Sequence, residues 1–207
     1  MNDYCRQLNF PSHFYPKIDV SKYETEGYSW VQFHKTLRPE ELNNEPLFEY
    51  LKSLGMCSNW IELFYTPPNE NGIIHSDNTN WEDWTKIYFQ YGALGSKLRW
   101  WESDKTMEVS TSTGEYIEDY KDRTEEHYHG QVLVAMEEDS TMIHEEDLST
   151  PHLVNVGKLH SSHNPTNDKR FALTIALHDL EGNRILWEDA LSRLSKEMNY
   201  KFIMAFP

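Results

Sequence analysis

An alternating segment towards the C-terminal end, Arg170-Phe171-Ala172-Leu173-Thr174-Ile175-Ala176-Leu177-His178, predicts a β-strand with two dissimilar faces. Side chains two positions apart in a strand point the same way. One face therefore carries the arginine with small residues, and the other carries the bulky apolar residues. We expect the bulky face to pack outward into a core and the small face to leave space for a ligand beside Arg170.

Further strand segments precede this one and are separated by turn-forming residues. They are predicted at residues 60–65, 72–75, 86–91, 98–101, 131–136 and 153–156, with a short final strand at 202–206. A helix is predicted from Pro39 to Leu54 before a stop at Gly55, and a second from Ile185 to Met198. Many short strands between two helices favour a mainly β fold, a double-stranded β-helix (jelly roll) braced by N-terminal and C-terminal helices.

The 207 residues are expected to form one domain. In this prediction residues 1–55 give helical and irregular support, residues 60–178 form the jelly-roll core, and residues 185–198 form the C-terminal helix. Cys5 and Cys57 lie in no paired motif, and no segment resembles a secretion signal or a membrane helix. We therefore expect a cytoplasmic protein with reduced thiols and no membrane partner.

The formal net charge of −15 argues against a general nucleic-acid binder, which needs a basic surface stripe. It does not exclude action on a nucleobase held in a local pocket. The simplest interpretation of the charge is a solvated acidic surface that keeps the protein soluble.

The triplet His75-Ser76-Asp77 places two metal-ligating side chains on the same side of an extended segment. A second triplet of this type is His144-Glu145-Glu146, and two triplets are about what chance gives for ten histidines and 34 acidic residues in this length. A metal site in a jelly roll would need a second histidine from a strand far along the chain, and binding an anionic ligand there would need a cation a short way beyond it. This requirement separates the two triplets. Only His160 has an arginine ten residues later, Arg170, and four strands fit between Asp77 and His160 but not after His144.

These segments resemble the 2-oxoglutarate/Fe(II)-dependent oxygenases, and most of all the short versions found in tailed bacteriophages. The C-terminal half-site of that family is similar to Leu153-Val154-Asn155-Val156-Gly157-Lys158-Leu159-His160-Ser161-Ser162-His163-Asn164-Pro165, continuing to Arg170. The N-terminal half-site is similar to Pro67-Pro68-Asn69 through Asp77, and Leu98-Arg99-Trp100-Trp101-Glu102 falls at the next aromatic strand. The resemblance spans about residues 60–177. Because it is strongest to phage proteins, the cytoplasm in which we expect the protein could be that of a phage-infected bacterium.

The resemblance implies that His75, Asp77 and His160 bind Fe(II) and that Arg170 pairs with the remote carboxylate of the cosubstrate 2-oxoglutarate. With O2, such an enzyme converts 2-oxoglutarate to succinate and CO2 and hydroxylates a substrate. Many relatives have a serine two residues after the arginine, where this chain has Ala172. Thr174 or Tyr88 is expected to supply the missing hydroxyl.

Alternatives remain at both the residue and the function level. Arg99 is a rival for the cosubstrate carboxylate, His163 is expected to be a loop residue, and His127 with His129 lacks a partner carboxylate. A cupin-type metal enzyme that does not use 2-oxoglutarate would keep the metal ligands His75, Asp77 and His160 but would not need Arg170. A non-catalytic jelly-roll module, such as a phage structural or carbohydrate-binding part, would need neither.

The segment from Glu102 to Gly130 is predicted to be a long acidic connection, with nine carboxylates against three basic residues. If it borders the site as a lid, it would favour a cationic small molecule or peptide as the substrate and would repel nucleic acid. The competing interpretation is a solvated loop with no role in recognition. The sequence does not identify the substrate or the oligomeric state.

Overall fold

The computed structural model describes residues 3–23, 33–77, 83–110 and 131–198, and these ranges contain fifteen β-strands and two α-helices. The first eight strands are β1 (Cys5–Gln7), β2 (Phe33–Leu37), β3 (Met56–Cys57), β4 (Ile61–Thr66), β5 (Glu70–Asn71), β6 (Ile74–His75), β7 (Thr85–Tyr91) and β8 (Lys97–Ser103). The others are β9 (Thr106–Ser110), β10 (Gln131–Ala135), β11 (Ser140–Asp147), β12 (His152–Asn155), β13 (His160–Asn164), β14 (Arg170–Ala176) and β15 (His178–Asp179). The helices are α1 (Glu45–Ser53) and α2 (Trp187–Arg193).

The strands form two large antiparallel sheets and one small one. The first large sheet, which we call the helix-side sheet, has the order β1-β12-β7-β14-β4-β2. The second, the open sheet, has the order β11-β8-β13-β6-β10-β9, with β5 attached to β13. A two-stranded sheet, the small sheet, joins β15 to β3.

The strand order defines a jelly roll. Along the chain, β4, β7, β12 and β14 enter the helix-side sheet in the order β12-β7-β14-β4. The strands β6, β8, β11 and β13 enter the open sheet in the order β11-β8-β13-β6. Four strands in each sheet, with partners distant in sequence, make the two Greek keys of a double-stranded β-helix. The predicted mainly β jelly-roll fold is confirmed.

The outer face of the helix-side sheet carries the main hydrophobic core. Leu173 and Ile175 of β14 are fully buried there, together with Leu47 of α1 and Trp187 of α2. Burying one such aliphatic side chain contributes about 1.5–3 kcal/mol, so this layer accounts for much of the stability. Both helices brace this one sheet, and the bulky face of β14 packs outward as predicted.

The space between the two sheets is more polar. Its apolar part includes Trp84, Tyr88, Trp100 and Ala172. Buried charged and polar side chains share the same space, among them Glu62, Lys86, Arg170 and Thr174. Buried charges require partners and are concentrated at functional sites, so a functional site is expected in this interior.

The predicted helix over residues 39–54 is two elements. Residues 39–42 form a 3-10 turn, and Asn43 then adopts a left-handed conformation with φ 45°. Asn44 caps α1 by accepting a hydrogen bond from the Leu47 amide. Gly55, with φ +71°, lies just after the helix as expected. The C-terminal helix is shorter than predicted, because a 3-10 turn at residues 195–197 follows α2.

Several strands were missed by the sequence analysis. Residues 1–55 contribute β1 and β2 at the two edges of the helix-side sheet, and six strands, not four, separate Asp77 from His160. The strand predicted to run to His178 breaks after Ala176, where the chain leaves for the small sheet. The predicted strand at residues 202–206 lies outside the described residues.

Candidate metal centre

The three predicted ligands lie together between the sheets. His160, the first residue of β13, pairs in register with His75 of β6 on the neighbouring strand. Asp77 follows β6, and its amide donates to the Val156 carbonyl at 2.9 Å. The Nε2 atoms of His75 and His160 lie 3.4 and 3.6 Å from Oδ1 of Asp77. The donor atoms lie within 4.8 Å of one another and could hold one metal ion.

Backbone carbonyls orient both imidazoles. Nδ1 of His75 is 3.0 Å from the Ile73 carbonyl, and Nδ1 of His160 is 2.9 Å from the Lys158 carbonyl. A carbonyl only accepts, so these hydrogen bonds assign the proton to Nδ1 in each ring. The lone pair of each Nε2 then points at the space beside Asp77, which is the arrangement that a metal-ligating histidine requires.

Burial and neighbouring charges shift the protonation equilibria of His75, Asp77 and His160. Burial, assisted by the positive field of His75, lowers the pKa of His160 to about 4, so this ring is neutral at pH 7. Burial opposes protonation of His75, but the hydrogen bond and the negative charge of Asp77, together with the Ile73 carbonyl, outweigh it and raise the pKa of His75. A metal ion at Nε2 would therefore compete with a proton for this ring. Burial disfavours ionised Asp77, yet Lys86 and the two histidines leave the pKa of this carboxyl well below its usual range. Asp77 is therefore a carboxylate.

A buried lysine that the sequence analysis missed holds this carboxylate. Nζ of Lys86 is 2.6 Å from Oδ2 of Asp77 and also contacts Oε2 of Glu62. The ammonium lies over the Trp84 ring, 4.5 Å from its centroid. Burial opposes the charge on Lys86, but the attraction of Asp77 and Glu62 prevails and raises its pKa.

The alternation of side chains in β7 could have indicated that Lys86 faces the site. The strand has polar Lys86, Tyr88 and Gln90 at every second position, between Ile87 and Phe89. This pattern places Lys86 on the same face as Tyr88, towards the site. Its contact with Asp77 still depends on how the two sheets face each other, which no local pattern shows.

Arg170 is buried on the inner face of β14, with 2% of its surface exposed. One terminal nitrogen, Nη1, donates to Oγ1 of Thr66 at 2.9 Å, and the other donates to the Tyr88 hydroxyl. Its Nε is buried with no hydrogen-bond partner. No carboxylate in the described ranges forms an ion pair with it, so the charge is solvated by two neutral hydroxyls.

Arg170 opens to the same interior as the three ligands. Oγ1 of Thr66 lies 3.1 Å from Oγ of Ser162 in the facing sheet. Ser162 is two residues from His160 on β13, a separation of about 7 Å along a strand. The side chains of Thr66 and Ser162 thus lie between the guanidinium and the cluster of His75, Asp77 and His160.

The other predicted site residues have different positions. The Tyr88 hydroxyl contacts Arg170, whereas Thr174 donates to Glu62 at 3.4 Å. Thr66 provides the second hydroxyl at the guanidinium. That a hydroxyl of Tyr88 or Thr174 assists the cosubstrate carboxylate stays a prediction. Thr66 was missed because its pairing with Arg170 spans 104 residues of chain. Register between distant strands has no local sequence pattern.

The rival residues lie away from the cluster. Arg99 donates through Nε to Glu145 at 2.7 Å, on the opposite face of β8 from Trp100. His163 was expected in a loop, but it lies in β13, where its side chain contacts that of Asn71. His127 and His129 lie outside the described residues.

The acidic segment is not one long connection. Glu102 belongs to β8, and residues 106–110 form β9, which pairs along its whole length with β10. The remainder, residues 111–130, lies outside the described residues. Its role as a lid and the preference for a cationic substrate stay predictions. No helix within the described ranges is long and apolar enough to span a membrane.

Comparisons with known proteins add little to this geometry. No protein-family model matches the sequence, and no curated protein matches it. Among solved structures, the chain is similar to one described as E. coli ycfD, with a TM-score of 0.37 and 11% identity. That match covers 77% of this chain but only 38% of the ycfD chain. A cupin 2 domain-containing protein from Halorhodospira halophila matches with a TM-score of 0.31 and 11% identity, covering 93% of this chain and 90% of that one. The jelly-roll assignment rests on the strand order, and these similarities carry no conclusion about activity.

Proposed function

We propose that the protein is a non-haem oxygenase that uses Fe(II) and 2-oxoglutarate to hydroxylate a substrate. The observation that carries the proposal is Arg170: a buried guanidinium without a carboxylate partner among the described residues, facing the same interior as two histidines and an aspartate. A buried, unpaired charge is costly unless a ligand completes its pairing.

The ligand set fits Fe(II). Two imidazole nitrogens and one carboxylate oxygen are the donors typical of non-haem iron oxygenases, and they leave coordination positions open. His75, Asp77 and His160 would hold the ion. Bound Fe(II) would allow O2, the oxidant, to convert 2-oxoglutarate to succinate and CO2 with one oxygen atom and to hydroxylate the substrate with the other.

The charges of the interior fit the cosubstrate. Asp77 and Glu62 are negative, Lys86 and Arg170 are positive, and both imidazoles are neutral when they bind a metal, so these four charges sum to zero. A divalent cation alone would leave the buried site with two uncompensated charges. A dicarboxylate such as 2-oxoglutarate restores neutrality, and the planar guanidinium of Arg170 suits one of its carboxylates.

Lys86 has a positioning role in this proposal. By binding Oδ2 of Asp77, it turns Oδ1 towards the two Nε2 atoms. Trp100, which is fully buried beside His160 in the same sheet, excludes water from one side of the cluster. A charge-paired site that is shielded from water on one side strengthens the interactions that orient the cosubstrate.

The test is a titration of 2-oxoglutarate into the anaerobic protein with Fe(II), followed by a succinate assay in air. The wild type should give a visible charge-transfer band and form succinate. Arg170→Ala should still bind iron but should need at least tenfold more 2-oxoglutarate for half-saturation, because losing the partner of a buried carboxylate costs about 2–5 kcal/mol. The matched control is Arg99→Ala, whose partner Glu145 lies outside the site.

Each alternative gives a different result. A cupin-type metal enzyme without 2-oxoglutarate would bind Fe(II) and show no band when the keto acid is added. A non-catalytic jelly-roll module would bind neither. If Arg99→Ala weakens 2-oxoglutarate binding and Arg170→Ala does not, the cosubstrate carboxylate lies at the other arginine.

A further inference from the structure

A second set of metal-ligating side chains lies between the edge strands of the two sheets. It consists of Cys5 on β1 with His144 and Glu146 on β11, and their donor atoms lie within 4.8 Å of one another. We propose that these three residues bind Zn(II) and thereby fasten the N-terminal strand to the open sheet. This inference does not depend on the proposed oxygenase activity.

The distances match the edges of a zinc tetrahedron. Sγ of Cys5 is 3.7 Å from Nε2 of His144, and that nitrogen is 3.4 Å from Oε2 of Glu146. Zinc bond lengths and a tetrahedral angle require about 3.6 Å between sulfur and nitrogen and about 3.4 Å between nitrogen and oxygen. Two of the three donor–donor distances therefore match those of a zinc site, and the third, between the Cys5 sulfur and the Glu146 carboxylate, is at most 4.8 Å.

A β-bulge gives His144 its direction. The pairing of β11 with β8 shifts between Met142 and His144, so that Ile143 is an extra residue. Bulges re-aim side chains at the point where they occur. After this one, His144 and Glu146 share a face two positions apart, while Glu145 between them turns to Arg99.

Aromatic contacts fix the imidazole. The Tyr4 ring stacks on His144 with centroids 5.3 Å apart and an interplanar angle of 19°, and Trp100 lies 5.5 Å away. A ring held in this way loses little conformational entropy when it binds an ion. Cys5 is 3% exposed, whereas the Glu146 side chain is 40% exposed. The carboxylate side thus gives the ion a path from solvent, and water can supply the fourth ligand.

The donor types separate the two sites. A thiolate, an imidazole and a carboxylate are all zinc ligands, and Zn(II) binding would displace the thiol proton of Cys5. The Fe(II) candidate has no sulfur ligand. His144, Trp100 and His160 form one row across three adjacent strands, so the two histidine backbones are about 10 Å apart with the buried Trp100 between them. No ligand is shared.

The experiment is a titration of the chelator-treated full-length chain with Co(II), a spectroscopic substitute for Zn(II). Coordination by a thiolate gives an intense near-ultraviolet charge-transfer band that nitrogen and oxygen ligands alone do not give. The wild type should show this band by two equivalents, because the site of His75, Asp77 and His160 can also take Co(II). Zn(II) should remove the band by displacement. Cys5→Ser, which is nearly isosteric, should lose the band.

Two controls make the result specific. Cys57→Ser removes the only other thiol of the sequence, which donates to the Asp179 carbonyl in the small sheet, and should keep the band. His160→Ala removes a ligand of the first site and should also keep it. The proposal is overturned if the wild type gives no band, if Cys5→Ser retains it, or if Cys57→Ser loses it.

Discussion

Lys86 is the residue on which the charged interior depends. It contacts Asp77 and Glu62 at once, and its surface is 2% exposed. Replacing a buried ion pair by an apolar pair can be neutral, but removing one partner leaves an uncompensated charge. A single substitution at Lys86 therefore measures how much these ion pairs contribute to the free energy of unfolding.

We expect Lys86→Met to lower the free energy of unfolding by about 3–5 kcal/mol, because the buried Glu62 and the largely buried Asp77 lose the ammonium partner that they share. Urea denaturation with chelated metal measures this directly. The matched control is Lys105→Met, whose ion pair with Asp139 lies at the surface, with the lysine side chain 71% exposed. That change should cost about 1 kcal/mol or less. A Lys86→Met protein as stable as the control would show that Asp77 and Glu62 are protonated in the folded chain.

At the scale of elements, the turn between β7 and β8 packs against the residue that precedes β14. Gly92 has φ +70°, and a Cβ at this position would lie 2.3 Å from the carbonyl oxygen of Lys169. Lys169 immediately precedes Arg170, so the turn is packed directly against the segment that positions the guanidinium. Gly95, in the same turn, has φ +91° and open space around it.

Gly92→Ala and Gly95→Ala form a matched pair. Both place a side chain at positive φ, which costs roughly 1 kcal/mol. Only Gly92→Ala also meets backbone, so it should be the more destabilising by at least about 1 kcal/mol. Urea unfolding of the two variants measures the difference. Equal losses would mean that residues 92 and 169 are not in contact in solution.

At the scale of the whole molecule, buried histidines couple stability to pH. His152 is 4% exposed, and its Nδ1 bonds to the Thr150 carbonyl at 2.7 Å. Burial lowers the pKa of His152 in the folded chain. In the unfolded chain the pKa is about 6.5, so below that pH the unfolded state binds a proton that the folded state does not.

Stability should consequently fall as the pH drops from about 6.5 towards the lowered pKa of folded His152, by at most about 1.4 kcal/mol per pH unit for this group. Unfolding measured between pH 7.5 and 5 should show a shallower dependence in His152→Gln than in the wild type. The exposed His13 provides the control, since His13→Gln should keep the wild-type dependence. Identical pH profiles for all three proteins would contradict a neutral, buried His152.

Local patterns in the sequence were sufficient for the principal elements. Strand-forming residues between turns located β7, and period-two alternation sorted the faces of β14, because a strand's side chains alternate whatever its partners are. Proline and glycine marked the helical segment around α1. The resemblance to a known family, together with the spacing of the residues, predicted that His75, Asp77, His160 and Arg170 form one site, and the structure places all four in the interior between the sheets.

Only the tertiary structure decided which residues complete that interior. Lys86 meets Asp77, Thr66 meets Arg170, and Cys5 meets His144 across 139 residues because two sheets face each other in a particular register. The edge strands β1 and β11 are short or highly charged, so neither shows a clear alternation in the sequence. Strand pairing and sheet packing are set by the summed burial of many distant side chains, and no short segment contains that information.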